Sequence, residues 1–160
     1  MAAIGNASSM QLKVEQLVSE IGLRILRSSE FVLDCSSEDG LNFYKFIFKP
    51  FSPAHLDIQL DNLLEDGDQP HWAHVEAACM QANRHCDTAL IIPEGGHQLS
   101  VITEFHLKQL ELPDVGDVQD RMAVLHDTAA IFFRKLADIE SEASDGAVPS
   151  VMVRAHEHLQ

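Results

Sequence analysis

Thr88-Ala-Leu-Ile-Ile-Pro-Glu-Gly-Gly-His-Gln-Leu-Ser-Val-Ile-Thr-Glu-Phe105 reads as two strands joined by a tight turn. Leu99, Val101, Thr103, Phe105 and Leu107 alternate with other residues, the period of a strand with one buried face. Residues 88–92 supply the partner strand. Pro93-Glu-Gly-Gly-His97 reads as the hairpin turn, with Gly95 and Gly96 able to supply positive φ. A hairpin in mid-chain implies an antiparallel sheet, and its flanks show what covers it.

Downstream, Pro113-Asp-Val-Gly-Asp117 breaks the strand pattern, and Asp117 is placed to cap a helix over 118–140. The apolar stripe of that helix is Val118, Met122, Leu125, Ala129, Phe132, Phe133 and Leu136. Upstream, Val75, Ala78, Cys79, Ala82 and Cys86 recur at helical spacing, so 71–86 is expected as an amphipathic helix behind Pro70. Before it come three short strand patterns over 31–35, 42–49 and 55–60, separated by Ser/Gly and Pro turn chemistry. The first helix is expected over 9–21, with Ser8 as N-cap and Gly22 as the C-terminal stop. Residues 1–7 are expected to fray. The order is α-β-β-β-α-β-β-α, which implies an α+β fold of two layers. A largely antiparallel five-stranded sheet would be covered by helices on one face. Residues 1–140 are expected as one domain and 141–160 as a flexible tail with one apolar knot, Val151-Met-Val153.

Composition narrows the partners. The chain of 160 residues has a net charge of -14, with 11 Lys plus Arg against 25 Asp plus Glu. Hydrophobic residues make up 46%, too many for an acidic disordered chain. The charge is spread evenly: five basic against twelve acidic side chains in residues 1–80, and six against thirteen in 81–160. This balance argues against nucleic acid and against an anionic membrane surface, both of which need clustered Lys and Arg. The amino terminus has no basic, apolar signal pattern, and no apolar run approaches a membrane span. The three cysteines, Cys35, Cys79 and Cys86, have no framework spacing. Together these features imply a cytoplasmic address.

Signatures of chemistry are sparse. His71 and His74 lie three residues apart on the expected second helix and suggest a metal-dependent enzyme as one alternative. A zinc centre needs at least a third protein ligand, and neither Cys79 nor His85 is placed to supply it. Surface histidines on an exposed helix face are the simpler explanation of the pair. Glu104 with His106, and His126 with Asp127, read as solvated charge. No phosphate loop, nucleophile elbow or calcium loop is present, so no catalytic residue, metal or cofactor is expected. The positive feature is apolar. Phe43, Tyr44, Phe46, Phe48 and Phe51 make half of the ten aromatics in the chain. Tyr44, Phe46 and Phe48 share one face of their strand, while Phe43 and Ile47 lie on the other with Lys45 and Lys49. That second face invites a cover, whether a second subunit, a partner peptide or the chain's own tail, unless Phe43 and Ile47 are simply half-buried at a sheet edge.

Three stretches carry a family resemblance: the opening helix Val14-Glu-Gln-Leu-Val-Ser-Glu-Ile-Gly-Leu23, the segment Gln81-Ala-Asn-Arg-His85, and the run 88–105 followed by a long last helix. With the order of elements over residues 10–140, the chain resembles the type III secretion chaperones of the CesT kind and the related YbjN domains. The histidine-bearing helix and the tail from Ser141 depart from that pattern. The resemblance implies a non-enzymatic homodimer that binds an extended segment of a client protein. It would place the client surface at Phe31, Leu33, Phe43, Ile47 and Ile58, and the dimer interface at Trp72, Val75, Cys79 and Leu90. A YbjN-like regulatory or scaffold domain binding folded partners is the alternative that the same pattern allows. The overall negative charge would favour a neutral or basic client segment.

Overall fold

The computed structural model describes residues 2–51, 53–64, 70–94 and 98–143, with side chains from residue 9 onward. Its elements are α1 (Ala2–Ile21), β1 (Arg24–Ser28), β2 (Val32–Ser36), β3 (Phe43–Lys49), β4 (His55–Asp61), α2 (Trp72–Asn83), β5 (Ala89–Glu94), β6 (Gln98–His106) and α3 (Val115–Ala143). The six strands form one sheet in the order β1-β2-β3-β4-β6-β5. Every neighbouring pair is antiparallel. β5 therefore runs parallel to β4 two places away, and the connection between them carries α2. The fold is α+β.

Alternation along the strands decides which face is covered. Leu33, Phe46, Ile58, Thr103 and Ala89 stand in register across β2, β3, β4, β6 and β5. Cys35, Tyr44, Leu60, Val101 and Ile91 make the next row. All ten are buried. The apolar stripes of the helices close over these rows: Met10, Val14, Leu17 and Val18 from α1, Val75, Ala78, Cys79 and Ala82 from α2, and Val118 to Leu136 from α3. Phe46, Phe132 and Phe133 are among the largest side chains fully removed from water. Burying each contributes about 1.5–3 kcal/mol. Arg121 ties α3 to β6: its guanidinium donates to Thr103 Oγ1 (2.8 Å) and to the Glu104 carbonyl (3.1 Å) and lies 4.6 Å from the centre of the Phe105 ring.

The helix ends follow the chemistry of orphan backbone groups. Gly22 ends α1 at φ +96, with its N–H on the Ser19 carbonyl and the Leu23 N–H on the Val18 carbonyl. That pair of bonds is a Schellman motif, which needs the left-handed conformation glycine adopts freely. α3 starts three residues before the expected position. Its cap is Asp114, whose Oδ1 accepts the Asp117 N–H at 2.8 Å, so Asp117 lies in the first turn and is not the cap. α1 likewise begins at Ala2, so residues 2–7, expected to fray, continue the helix and Ser8 lies inside it, not at its cap.

The sheet has six strands, one more than expected. The additional one is β1, and all five of its residues are exposed. An edge strand with no buried face leaves no alternation to read. A bulge between Ile25 and Arg27 further breaks its register. Pro93 and Glu94 continue β5 where a turn was expected, and residues 95–97 lie outside the described part. α2 stops at Asn83, which leaves Cys86 beyond it. α3 runs to Ala143, into the expected tail; the rest of that tail, with Val151 to Val153, lies outside the described residues. No helix among the described residues is long and apolar enough to cross a membrane.

Candidate functional site: the uncovered sheet face and its edges

The sheet face turned away from the helices is a mosaic. Val32, Phe43, Ile47, Ile92 and Ile102 are half-buried there, and Leu90, opposite Ile102, is 48% exposed. Between these apolar flanks lies a polar centre. Asp57 on β4 pairs across the sheet with Ile47 and Glu104, and the next row holds Lys49, His55 and His106. The Asp57 side chain is only 3% exposed, although no helix among the described residues covers that face. An ionised carboxylate at that depth needs charged partners. Lys49 Nζ lies 2.9 Å from Asp57 Oδ2, and His55 Nδ1 lies 2.9 Å from Oδ1. Lys49 is half exposed, so its aliphatic stem lies over the sheet while its ammonium meets the carboxylate. Its hydrogen bond to Asp57 holds that ammonium above the ordinary lysine range. Glu104 extends the group, with Oε2 3.7 Å from His55 Nδ1 and Oε1 3.4 Å from His106 Nε2.

A second polar network lies nearby. Gln59 Nε2 donates to Asp61 Oδ1 (2.7 Å) and to Glu94 Oε1 (3.4 Å), which also accepts from Ser100 Oγ (3.1 Å). Burial raises the Asp61 carboxyl above its ordinary range, opposed by the hydrogen bond from Gln59. Neither network was visible as a unit in the sequence, because each joins β4 to distant residues through the register.

The two sheet edges differ. At β5 the side-chain amide of Asn83 occupies the backbone: Ile91 N donates to Asn83 Oδ1 (2.8 Å), and Asn83 Nδ2 donates to the Ile91 carbonyl (3.0 Å). Pro93 removes a further donor from that strand. β1 has no such cover among the described residues, and its backbone bonds only toward β2. Ser28 holds it to α1, accepting from Gln11 (2.9 Å) and donating to Glu15. Around it Ile25, Leu26 and Phe31 are exposed by 37%, 54% and 38%. Phe31 borders a cleft shared with Val14, Val32, Leu33, Phe46 and Phe48.

The residues expected at the client surface do not form one surface. Leu33 and Ile58 are buried under the helices, Phe43 and Ile47 lie on the opposite face, and Phe31 directly precedes β2, its carbonyl accepting from the Phe48 N–H. The expected interface set is divided as well. Val75 and Cys79 are core residues of α2, Trp72 is half-buried, and Leu90 alone is exposed, on the uncovered face. His71 and His74 do meet, with ring centroids 4.9 Å apart, but no third candidate ligand joins them among the described residues. His126, expected as solvated charge, is half-buried and bonds Tyr44 Oη through Nε2 at 2.6 Å. No family model matches the chain, and no curated protein matches it.

Proposed function

We propose that the protein is a non-enzymatic binding module, acting as a homodimer, that takes up an extended segment of a client protein by adding it as a strand to β1. The unoccupied backbone edge of β1 carries this reading. An exposed edge with apolar side chains beside it is a template for another strand, and natural proteins usually block such edges. Here β5 is blocked by Asn83 and Pro93, while among the described residues β1 has no cover and only its bulge interrupts the edge. The register puts Ile25 on the helix-covered side and Arg24 and Arg27 on the other. No ion pair among the described residues engages either arginine. A client strand with apolar residues on one side and a carboxylate on the other suits that edge, in contrast to the neutral or basic segment that net charge alone favours. The client surface thus reduces to Phe31 with Ile25 and Leu26. Leu90 and Ile102 supply an apolar patch that a second copy of the chain would cover.

Capture of a chemically unfolded reporter protein, with light scattering on the same samples, tests this. The wild type is expected to be a dimer that binds the reporter. Ile25, whose register neighbour Arg24 bonds inward to Ser36, turns its N–H away from β2, so Ile25→Pro removes one backbone donor from the exposed edge and is expected to weaken capture by about tenfold while leaving the circular dichroism unchanged. Undiminished capture by a folded Ile25→Pro variant rejects strand addition, and a monomer at every concentration rejects the dimer.

A further inference from the structure

We propose that His55, Asp57, Glu104 and His106 form a site for one divalent transition-metal ion of the zinc class, on the uncovered face of the sheet. The site is independent of the client reading above, because it lies on β4 and β6 and not at the β1 edge. Two adjacent cross-strand pairs build it: His55 opposite His106, and Asp57 opposite Glu104. Residues two apart on one strand point to the same face, so the register alone brings two imidazoles and two carboxylates together. Strands paired on both sides hold their side-chain origins more rigidly than a loop does.

The spacing suits a small ion. Bonds of about 2.0–2.1 Å in a tetrahedron put ligand atoms about 3.3 Å apart. His55 Nδ1 is 2.9 Å from Asp57 Oδ1 and 3.7 Å from Glu104 Oε2. One ligand atom from each of these three residues lies within 4.8 Å of the others. His106 Nε2 lies 3.4 Å from Glu104 Oε1 but outside that group of three; its ring, 6.4 Å from that of His55 and 72% exposed, would turn inward to serve as the fourth donor. Lys49 does not occupy the ligand position. It binds Asp57 Oδ2 and leaves Oδ1 toward His55, so it orients the carboxylate as outer partners of metal ligands do. With neutral histidines the group carries two negative charges against one positive, a net charge that attracts a cation. Mixed imidazole and carboxylate donors favour zinc-class ions over calcium or magnesium, which prefer all-oxygen sites.

Titration of the chelator-treated full chain with Zn²⁺ by calorimetry, and with Co²⁺ by visible absorption, tests the site. One ion per chain is expected, with the Co²⁺ bands of low coordination number. His55→Ala and Glu104→Gln are each expected to weaken binding by at least about tenfold and to abolish those bands. Both residues lie on the uncovered face, so unchanged circular dichroism will separate loss of ligation from loss of fold. The double variant His71→Ala/His74→Ala is expected to bind as the wild type does. Absence of stoichiometric binding overturns the proposal. So does binding that survives His55→Ala and Glu104→Gln but is lost in the His71/His74 variant.

Discussion

At the scale of single residues, burial has different consequences on the two sheet faces. Asp57 is buried among charged partners on the uncovered face, whereas Cys35 and Cys79 are buried among apolar ones beneath the helices. Burial pushes both thiols up to about 12. Thiolate is the reactive form, so at pH 8 only about one thiol in ten thousand is ionised at either position. Cys86 is a free thiol beyond the end of α2 and only half-buried, so a reagent can reach it. A disulfide reagent is therefore expected to modify one of the three cysteines rapidly in the native protein and all three after denaturation. Rapid modification of two or three in the native state would contradict the described core. Cys79 was legible in the sequence as a small core residue from its place on the helical stripe. Asp57 was not, since nothing in its own neighbourhood shows that Lys49 and Glu104 lie beside it.

At the scale of elements, periodic segments were readable and their ends less so. The stripe of α3 and the alternation of β3, β4 and β6 are local spacings, and the structure keeps them. The cap of α3 depended on which of two aspartates turned back onto the backbone. Asp114 does so, and Asp114→Ala is expected to cost about 1 kcal/mol. For a chain of this size that lowers the melting temperature by about 2–4 °C. Asp117→Ala is expected to cost less, since it removes only a favourable charge in the first turn. The reverse order in a thermal melt would return the cap to Asp117. β1 escaped the sequence reading because recognition of a strand rests on a buried face, which it lacks. The family resemblance likewise gave a list of apolar residues without saying which face each occupies. Leu33 and Ile58 proved to be core, while Phe43 and Ile47 are half-buried on the uncovered face, opposite Asp61 and Asp57.

At the scale of the whole molecule, which carries a net charge of -14, salt acts on folding and on the proposed binding in opposite senses. Evenly spread negative charge repels itself in the compact state, and salt screens that repulsion. Raising NaCl from about 20 mM to about 300 mM is expected to raise the melting temperature by about 2–4 °C. The same salt is expected to weaken client capture at Arg24 and Arg27 a few-fold. Affinity that does not change with salt would leave the charge a role in solubility only. The sequence by itself determined the class of fold and the inward face of nearly every regular element. Apolar spacing is a local property, and the hydrophobic effect turns each such face toward the core wherever the core forms. Only the tertiary structure decided the order of the strands, which edge stays open, and that His55 and Asp57 stand against Glu104 and His106. Those are matters of register between segments far apart in the chain, where a shift of one residue would turn every side chain to the other face.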